Sequence, residues 1–186
     1  FDIPASESVL FTSSTAPIFA VNGGVVAFLS TDRNSREQVI DIYALKDFSK
    51  LKTIKSNIRG SVSGLSLSPD GKTVIELADE EYSHVYEVSS GTERFKMNAD
   101  GTPRWVDNSS FIYTSNLGDS GNNYSAGGVY VVDLKNPGAQ SIIQRSAISN
   151  VRLDAVVDGK IYLSSTTAGA GDYRFVSYMV NLTQPD

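Results

Sequence analysis

His84 is the one histidine in 186 residues, and there is no cysteine. Thiol nucleophiles, iron–sulfur clusters, zinc fingers and disulfide scaffolds are therefore excluded. A serine triad needs its serine on a strand-to-helix elbow, and no Gly-x-Ser-x-Gly occurs; Gly60-Ser-Val-Ser-Gly64 has the wrong spacing. Carboxylates are plentiful, with 21 Asp and Glu, but nothing in the sequence sets two of them across one cleft. Asp79-Glu80-Glu81 and the trio Asp119, Asn122 and Asn123 offer oxygens to calcium, yet neither has the spacing of a calcium loop closed by a bidentate Glu. No Gly-rich phosphate-binding pattern appears. The expectation is a protein without catalytic residues, cofactor or metal, that is, not an enzyme. His84, between Ser83 and Val85 at a strand start, is read as a packed or solvent-facing imidazole, and Trp105 as a core residue rather than a sugar platform.

Binding chemistry is better represented. Asn116-Leu-Gly-Asp-Ser-Gly-Asn-Asn-Tyr-Ser-Ala-Gly-Gly128 is rich in the adaptable and aromatic residues used for recognition, with Tyr124 as a low-entropy anchor beside Asp119, Asn122 and Asn123. Arg33, Arg36, Tyr82, Asp172 and Tyr173 add residue types common at binding hot spots. The partner expected is a protein, with a carbohydrate as the alternative. A formal net charge of -5 argues against nucleic acid and against anionic membrane surfaces. No apolar run approaches the roughly 20 residues of a spanning helix, so membrane insertion is not expected. Phe1 is not an initiator methionine, and the chain is read as a processed or excised piece.

These residues must be positioned by strands. Period-2 alternation dominates, in apolar runs of five to eight residues bounded by Gly, Asn, Asp, Ser and Pro. Strands are expected at 25–31, 38–45, 64–68, 73–78, 84–88, 110–115, 129–134, 160–165 and 174–180. Four segments align, and each opens on a tight polar turn: Asn22-Gly23, Asp70-Gly71, Asp107-Asn108 and Asp158-Gly159. Such pairs accept the positive φ of a two-residue hairpin. The spacing is about 37 to 51 residues, near that of a propeller blade. Blades are placed at 18–54, 64–97, 103–144 and 151–182 of a single domain, 1–186, the last lacking its outer strand. The residues expected in the core are Leu65, Leu67, Ile75, Trp105, Ile112, Tyr130, Val132 and Ile161.

Gly64-Leu-Ser-Leu-Ser-Pro-Asp-Gly-Lys72 resembles the WD40-like (PD40) repeat of TolB-type β-propellers, whose inner strand ends in Ser-Pro-Asp-Gly. Gly101-Thr-Pro-Arg-Trp-Val-Asp107 is similar to the same family's Pro-x-Trp-Ser-Pro-Asp pattern, and Val85-Tyr-Glu-Val-Ser-Ser-Gly-Thr-Glu93 to its third strand and turn. The resemblance implies an all-β array of four four-stranded blades, either a closed four-bladed ring or an arc of a larger propeller. It also implies a non-enzymatic interaction scaffold, often in the bacterial cell envelope, periplasmic or at the cell surface. A second implied setting is the substrate-gating propeller of a prolyl-oligopeptidase-like peptidase. Residues 8–13 are strand-like, and two readings stand: they close a ring by joining the blade that lacks a strand, or they are the last strand of a preceding blade. Strand parity puts the loops 32–37, 79–83, 116–127 and 167–172 on one face and the tight turns on the other, so the long-loop face is expected to bind and the tight-turn face to be inert.

Overall fold

The computed structural model describes residues 17–32, 34–79, 82–115, 128–136, 141–145, 151–169 and 172–181, and these contain strands and turns but no helix. Fifteen strands form four antiparallel sheets, each a meander. The first holds β1 (Phe19–Asn22), β2 (Val25–Thr31), β3 (Gln38–Ala44) and β4 (Lys50–Lys55). The second holds β5 (Val62–Leu67), β6 (Thr73–Ala78), β7 (Ser83–Glu87) and β8 (Glu93–Met97). The third holds β9 (Asp100–Trp105), β10 (Ser110–Ser115), β11 (Gly128–Asp133) and β12 (Ser141–Arg145). The fourth has three described strands, β13 (Val151–Val157), β14 (Lys160–Gly169) and β15 (Asp172–Asn181).

The sheets stack through three successive cores. Ala27, Ile40, Ile42 and Ile54 of the first sheet meet Leu65, Leu67, Val74 and Tyr86 of the second. On the second sheet's other face, Ile75, Leu77, Val85 and Met97 meet Phe111, Tyr113, Val132 and Leu134 of the third. Ile112 and Val129 then meet Leu153, Ile161 and Leu163 of the fourth. A sheet covered on both faces has no solvent side, which is why all six positions of β6 are buried and its sequence loses the polar half of the alternation. Each large aliphatic side chain so buried contributes about 1.5–3 kcal/mol. The first strands also meet in order, β1 against β5, β5 against β9 and β9 against β13.

The expected core holds for Leu65, Leu67, Ile75, Ile112, Val132 and Ile161. Trp105 and Tyr130 are only half-buried. Trp105 packs edge-on to Phe111 at 5.1 Å, and its indole N–H donates to Ser66 Oγ at 3.0 Å, so its polar edge must reach across to the second sheet. Tyr130 stacks on Tyr113 at 5.1 Å on the flank of the same core.

The loop expected at 167–172 is a second correction. Thr167 pairs with Arg174, Ala168 with Tyr173 and Gly169 with Asp172, so one unbroken hairpin register extends β14 and β15 to ten residues each. Small residues there hid a strand, and pairing satisfies backbone groups that a loop would leave to solvent. The tight turns also divide. Gly23 and Gly24, and Asp158 and Gly159, have positive φ at both central positions, the twist that two-residue hairpins require. The turns after β5 and β9 are longer. In the latter, Asp107 Oδ1 accepts from Ser109 N at 2.6 Å and Oγ at 3.0 Å, and Asn108 needs no positive φ. Residues 8–13 lie outside the described residues.

Candidate functional site

The β2–β3 and β6–β7 hairpins end on the same side of the stacked sheets. The first is closed by Asp32, whose Oδ1 accepts from Asn34 N at 2.9 Å, Ser35 N at 2.8 Å and Ser35 Oγ at 3.1 Å. Those bonds, Ser35 N foremost, hold the Asp32 carboxyl below its usual range. Asp32 N donates to Glu37 O and Arg36 N to Asp32 O, both at 2.8 Å, which places Arg36 at φ 58 with its side chain exposed. The same pair of bonds links Ala44 with Ser49 and Phe48, and Glu87 with Thr92 and Gly91. The left-handed position is thus Arg36, Phe48 or Gly91 in three copies of one turn. Lys55 Nζ bonds Glu37 Oε1 at 2.7 Å between exposed groups, a contact of small energetic weight.

In the second hairpin Ser83 is buried and its Oγ accepts from Ala78 N at 3.2 Å. Tyr82 beside it is 50% exposed, and Lys96 Nζ lies 4.7 Å from its ring centroid. An exposed aromatic ring with a cation beside it suits an acidic or aromatic group on a partner.

Just inside this end lies a polar network that sequence reasoning missed. Register sets Glu76 opposite His84 and Tyr86 opposite Glu93. Tyr86 Oη donates to Glu76 Oε2 at 3.1 Å and accepts from Asn57 N at 3.0 Å. Asn57 Nδ2 donates to Glu93 Oε2 at 2.6 Å, and His84 Nδ1 lies 2.8 Å from the same oxygen. The His84 ring stacks on Tyr86 with centroids 6.1 Å apart. Burial, then the Glu76 charge, push the Tyr86 phenol well up. Burial would raise Glu93, but the bonds from His84 and Asn57 outweigh it and hold the carboxyl below its usual range. His84 is accordingly a packed imidazole. Acid, imidazole and phenol here bond one another and the connector between the first two sheets, an arrangement that clamps the junction. Among the described residues no group of three or more His, Cys, Asp or Glu is placed to hold a metal ion. The overlooked signal was Glu76, a charge in an otherwise buried strand.

The opposite end has a structural task. A Cβ on Gly23 would stand 2.2 Å from Asp70 C and Gly71 N, so the first two tight turns touch backbone to backbone. Asn22 Nδ2 adds a bond to Leu67 O at 3.3 Å.

Of the expected binding residues, the structure brings Arg36 and Tyr82 to one end, on neighbouring sheets. Arg33, Asp119, Asn122, Asn123 and Tyr124 lie outside the described residues, as do Glu80 and Glu81. Asp172 and Tyr173 stand in β15, opposite Gly169 and Ala168.

No family model matches the sequence, and no curated protein matches it. Solved structures do. The chain is similar to the β-propeller domain of the Trilobed protease from Pyrococcus furiosus, described as having an open velcro topology, with TM-score 0.60 and 13% identity over 89% of this chain and 54% of that one. It is similar to the Pyrococcus horikoshii acylaminoacyl peptidase, with TM-score 0.57 and 14% identity over 88% of this chain and 31% of that one. BamB from Moraxella catarrhalis gives TM-score 0.57 and 12% identity over 89% and 46%. The fold is β-propeller-like, and the chain spans about half the length or less of these structures.

Proposed function

We propose that this chain is a non-enzymatic binding scaffold, an arc of four TolB-like blades of a larger propeller, that engages a protein partner through the hairpin end carrying Arg36 and Tyr82. The observation that carries it is the half-exposed Tyr82 ring held against Lys96 at that end. Support for the arc is the order of first-strand contacts, which runs from β1 to β13 with no contact of like extent from β13 to β1 among the described residues. An extracytoplasmic bacterial setting is part of the proposal, motivated by the repeat resemblance, and fractionation of the source cells tests it.

The experiment is a paired scan on a partner recovered with the chain as bait. Tyr82→Ala and Arg36→Ala are compared with Lys72→Ala, Ser109→Ala and Lys160→Ala at the opposite end. Tyr82→Ala is expected to weaken binding about tenfold or more, corresponding to about 1.4 kcal/mol, while the tight-turn changes leave it unaltered. The reverse pattern in folded variants overturns the assignment.

One observation favours a second reading: two of the similar structures are peptidases or a peptidase's propeller domain. On that reading the same end gates substrate for a separate hydrolase domain. Co-purification with a Gly-x-Ser-x-Gly hydrolase whose peptide-length preference changes with Tyr82→Ala separates it from the first.

A further inference from the structure

Asn22 is followed by Gly23, the one Asn-Gly pair in the sequence, and the pair forms the tip of the first tight turn. Gly23 N donates to Asn22 Oδ1 at 3.1 Å, and Asn22 Nδ2 donates to Leu67 O at 3.3 Å. Together these bonds fix which way the carboxamide points, since a flipped amide would set two donors against each other at Gly23 and two acceptors at Leu67. Asn22 and Gly23 are both exposed to water. Other asparagines differ at the amide that follows them. After Asn34, Ser35 N donates to Asp32 Oδ1 at 2.8 Å; after Asn57, Ile58 N donates to Ser56 Oγ at 3.1 Å; after Asn108, Ser109 N donates to Asp107 Oδ1 at 2.6 Å. Asn136 precedes Pro137, which has no N–H.

We propose that Asn22 is a site of spontaneous covalent modification, converted through a cyclic imide to aspartate and isoaspartate, and that the change loosens the first sheet from the second. Gly23 N, deprotonated by solvent base, forms a bond to Asn22 Cγ; the Cγ–Nδ2 bond breaks, and Nδ2 leaves as ammonia with a proton from water. Water then opens the imide, at the side-chain carbonyl to give aspartate or at the main-chain carbonyl to give isoaspartate. The balance is one water in and one ammonia out, with no oxidant or reductant. Glycine suits the nucleophile's position because no Cβ obstructs the approach. The bond from Gly23 N polarises the carboxamide and keeps the nitrogen beside Cγ, whereas the amides of Ser35, Ile58 and Ser109 are turned to other side chains. Either product damages a close contact. Aspartate sets a carboxylate oxygen against Leu67 O in place of the donating Nδ2 and adds a negative charge. Isoaspartate routes the main chain through Cβ and Cγ and so lengthens it just before Gly23, where there is no space: a Cβ on Gly23 would stand 2.2 Å from Asp70 C and Gly71 N, and one on Gly71 would stand 3.1 Å from Gly23 O and 3.2 Å from Asn22 O. The lengthened turn must therefore move off its neighbour, and the tips of the first two sheets part.

The test is peptide mapping by mass spectrometry on the folded chain aged in buffer at neutral and at mildly alkaline pH, with electron-transfer fragmentation to tell aspartate from isoaspartate. The peptide holding Asn22 is expected to gain about 1 Da, with matching release of ammonia, before the peptides holding Asn34, Asn57 or Asn108 change. The gain should run about tenfold faster for each unit of pH, because the deprotonated amide is the nucleophile and its fraction rises in that ratio. Ageing in urea supplies the reference for the unfolded chain. Modification of Asn22 in urea with none in the folded chain overturns the proposal, since the fold then shields the pair; modification of the folded chain first at another asparagine overturns it too. Asn22→Gln, whose longer side chain closes the larger ring far more slowly, should abolish both the mass gain at this peptide and the ammonia; Asn22→Ser replaces it if circular dichroism shows that it does not fold. The structural consequence is read on the modified chain, separated from the fresh one by anion exchange. Its urea midpoint should be lower and its amides over Phe19–Asn22 and Val62–Leu67 should exchange faster, while Asn22→Gln aged in parallel keeps its own midpoint. An unchanged midpoint and unchanged exchange in the modified chain overturn the loosening.

Discussion

Asn57 is held at both its backbone and its side chain, by Tyr86 Oη and Glu93 Oε2. Because Asn57 belongs to the segment joining β4 to β5, those two bonds fix how the first sheet is laid on the second. Tyr86→Phe removes the phenolic acceptor of a part-buried N–H and should cost about 1–3 kcal/mol, read from urea unfolding. Glu93 adds a pH dependence. Its folded carboxyl lies below the ordinary value of 4.5, so its contribution is complete above that value and is lost as pH falls through the lower folded one. The stability gap between wild type and Glu93→Gln should therefore be constant from neutral pH to about 5 and narrow on further acidification; a gap that widens there contradicts the assignment. None of this was legible in the sequence beyond the lone charge at Glu76. The partners meet only because register sets β6, β7 and β8 side by side and a connector crosses them, and no local pattern encodes that meeting.

Turn residues mark most strand ends in the sequence, and the one hairpin they mark poorly is β14–β15. Val25–Thr31, Thr73–Ala78 and Ser110–Ser115 stand as expected, because turn residues bound them tightly at both ends. The β14–β15 extension escaped notice because Thr-Thr-Ala-Gly-Ala-Gly carries neither alternation nor a charge. Two glycine substitutions separate the forces at the first tight turn. Gly24→Ala meets nothing within 4 Å and pays only for its φ of +75, about 1 kcal/mol. Gly23→Ala has a φ of +54 and drives a methyl into Asp70 backbone, so about 2–4 kcal/mol is expected. Equal losses would mean that the two turns do not touch. Phe48 tests the repeated five-residue turn in the opposite sense. It holds a φ of 52 with its side chain about half in solvent, where its counterpart is Gly91. Phe48→Gly relieves a left-handed strain of about 1–2 kcal/mol against a glycine entropy cost of about 0.5–1 kcal/mol. A melting temperature unchanged or raised by a few degrees is the expected result, and a clear fall would refute the strain.

Among the described residues the sheets meet in chain order, each first strand against the next, so stability is distributed by position along the series. The second and third sheets pack on both faces, so they should open only with the whole molecule, and the outer strands of the sheets should open first by fraying. Sequence shows the same gradient in another guise: β6 and β10 have lost their polar alternation, whereas β4, the outermost described strand of its sheet, carries three lysines in six residues. Lys50 on that edge bonds inward to Asp41 at 2.7 Å, and Lys55 to Glu37, so the charges that blunt the edge also anchor it to β3 and its turn. Amide exchange followed by mass spectrometry gives the measurement. Peptides over Thr73–Ala78 and Ser110–Ser115 should exchange last, at rates set by global unfolding and therefore accelerated together by low urea. Peptides over Lys50–Lys55 and Asp172–Asn181, the outermost described strands of their sheets, should exchange earlier and respond little to urea, because edge opening exposes little surface. Uniform protection across all four sheets would mean that the stack opens as one body and that its ends are held as firmly as its middle.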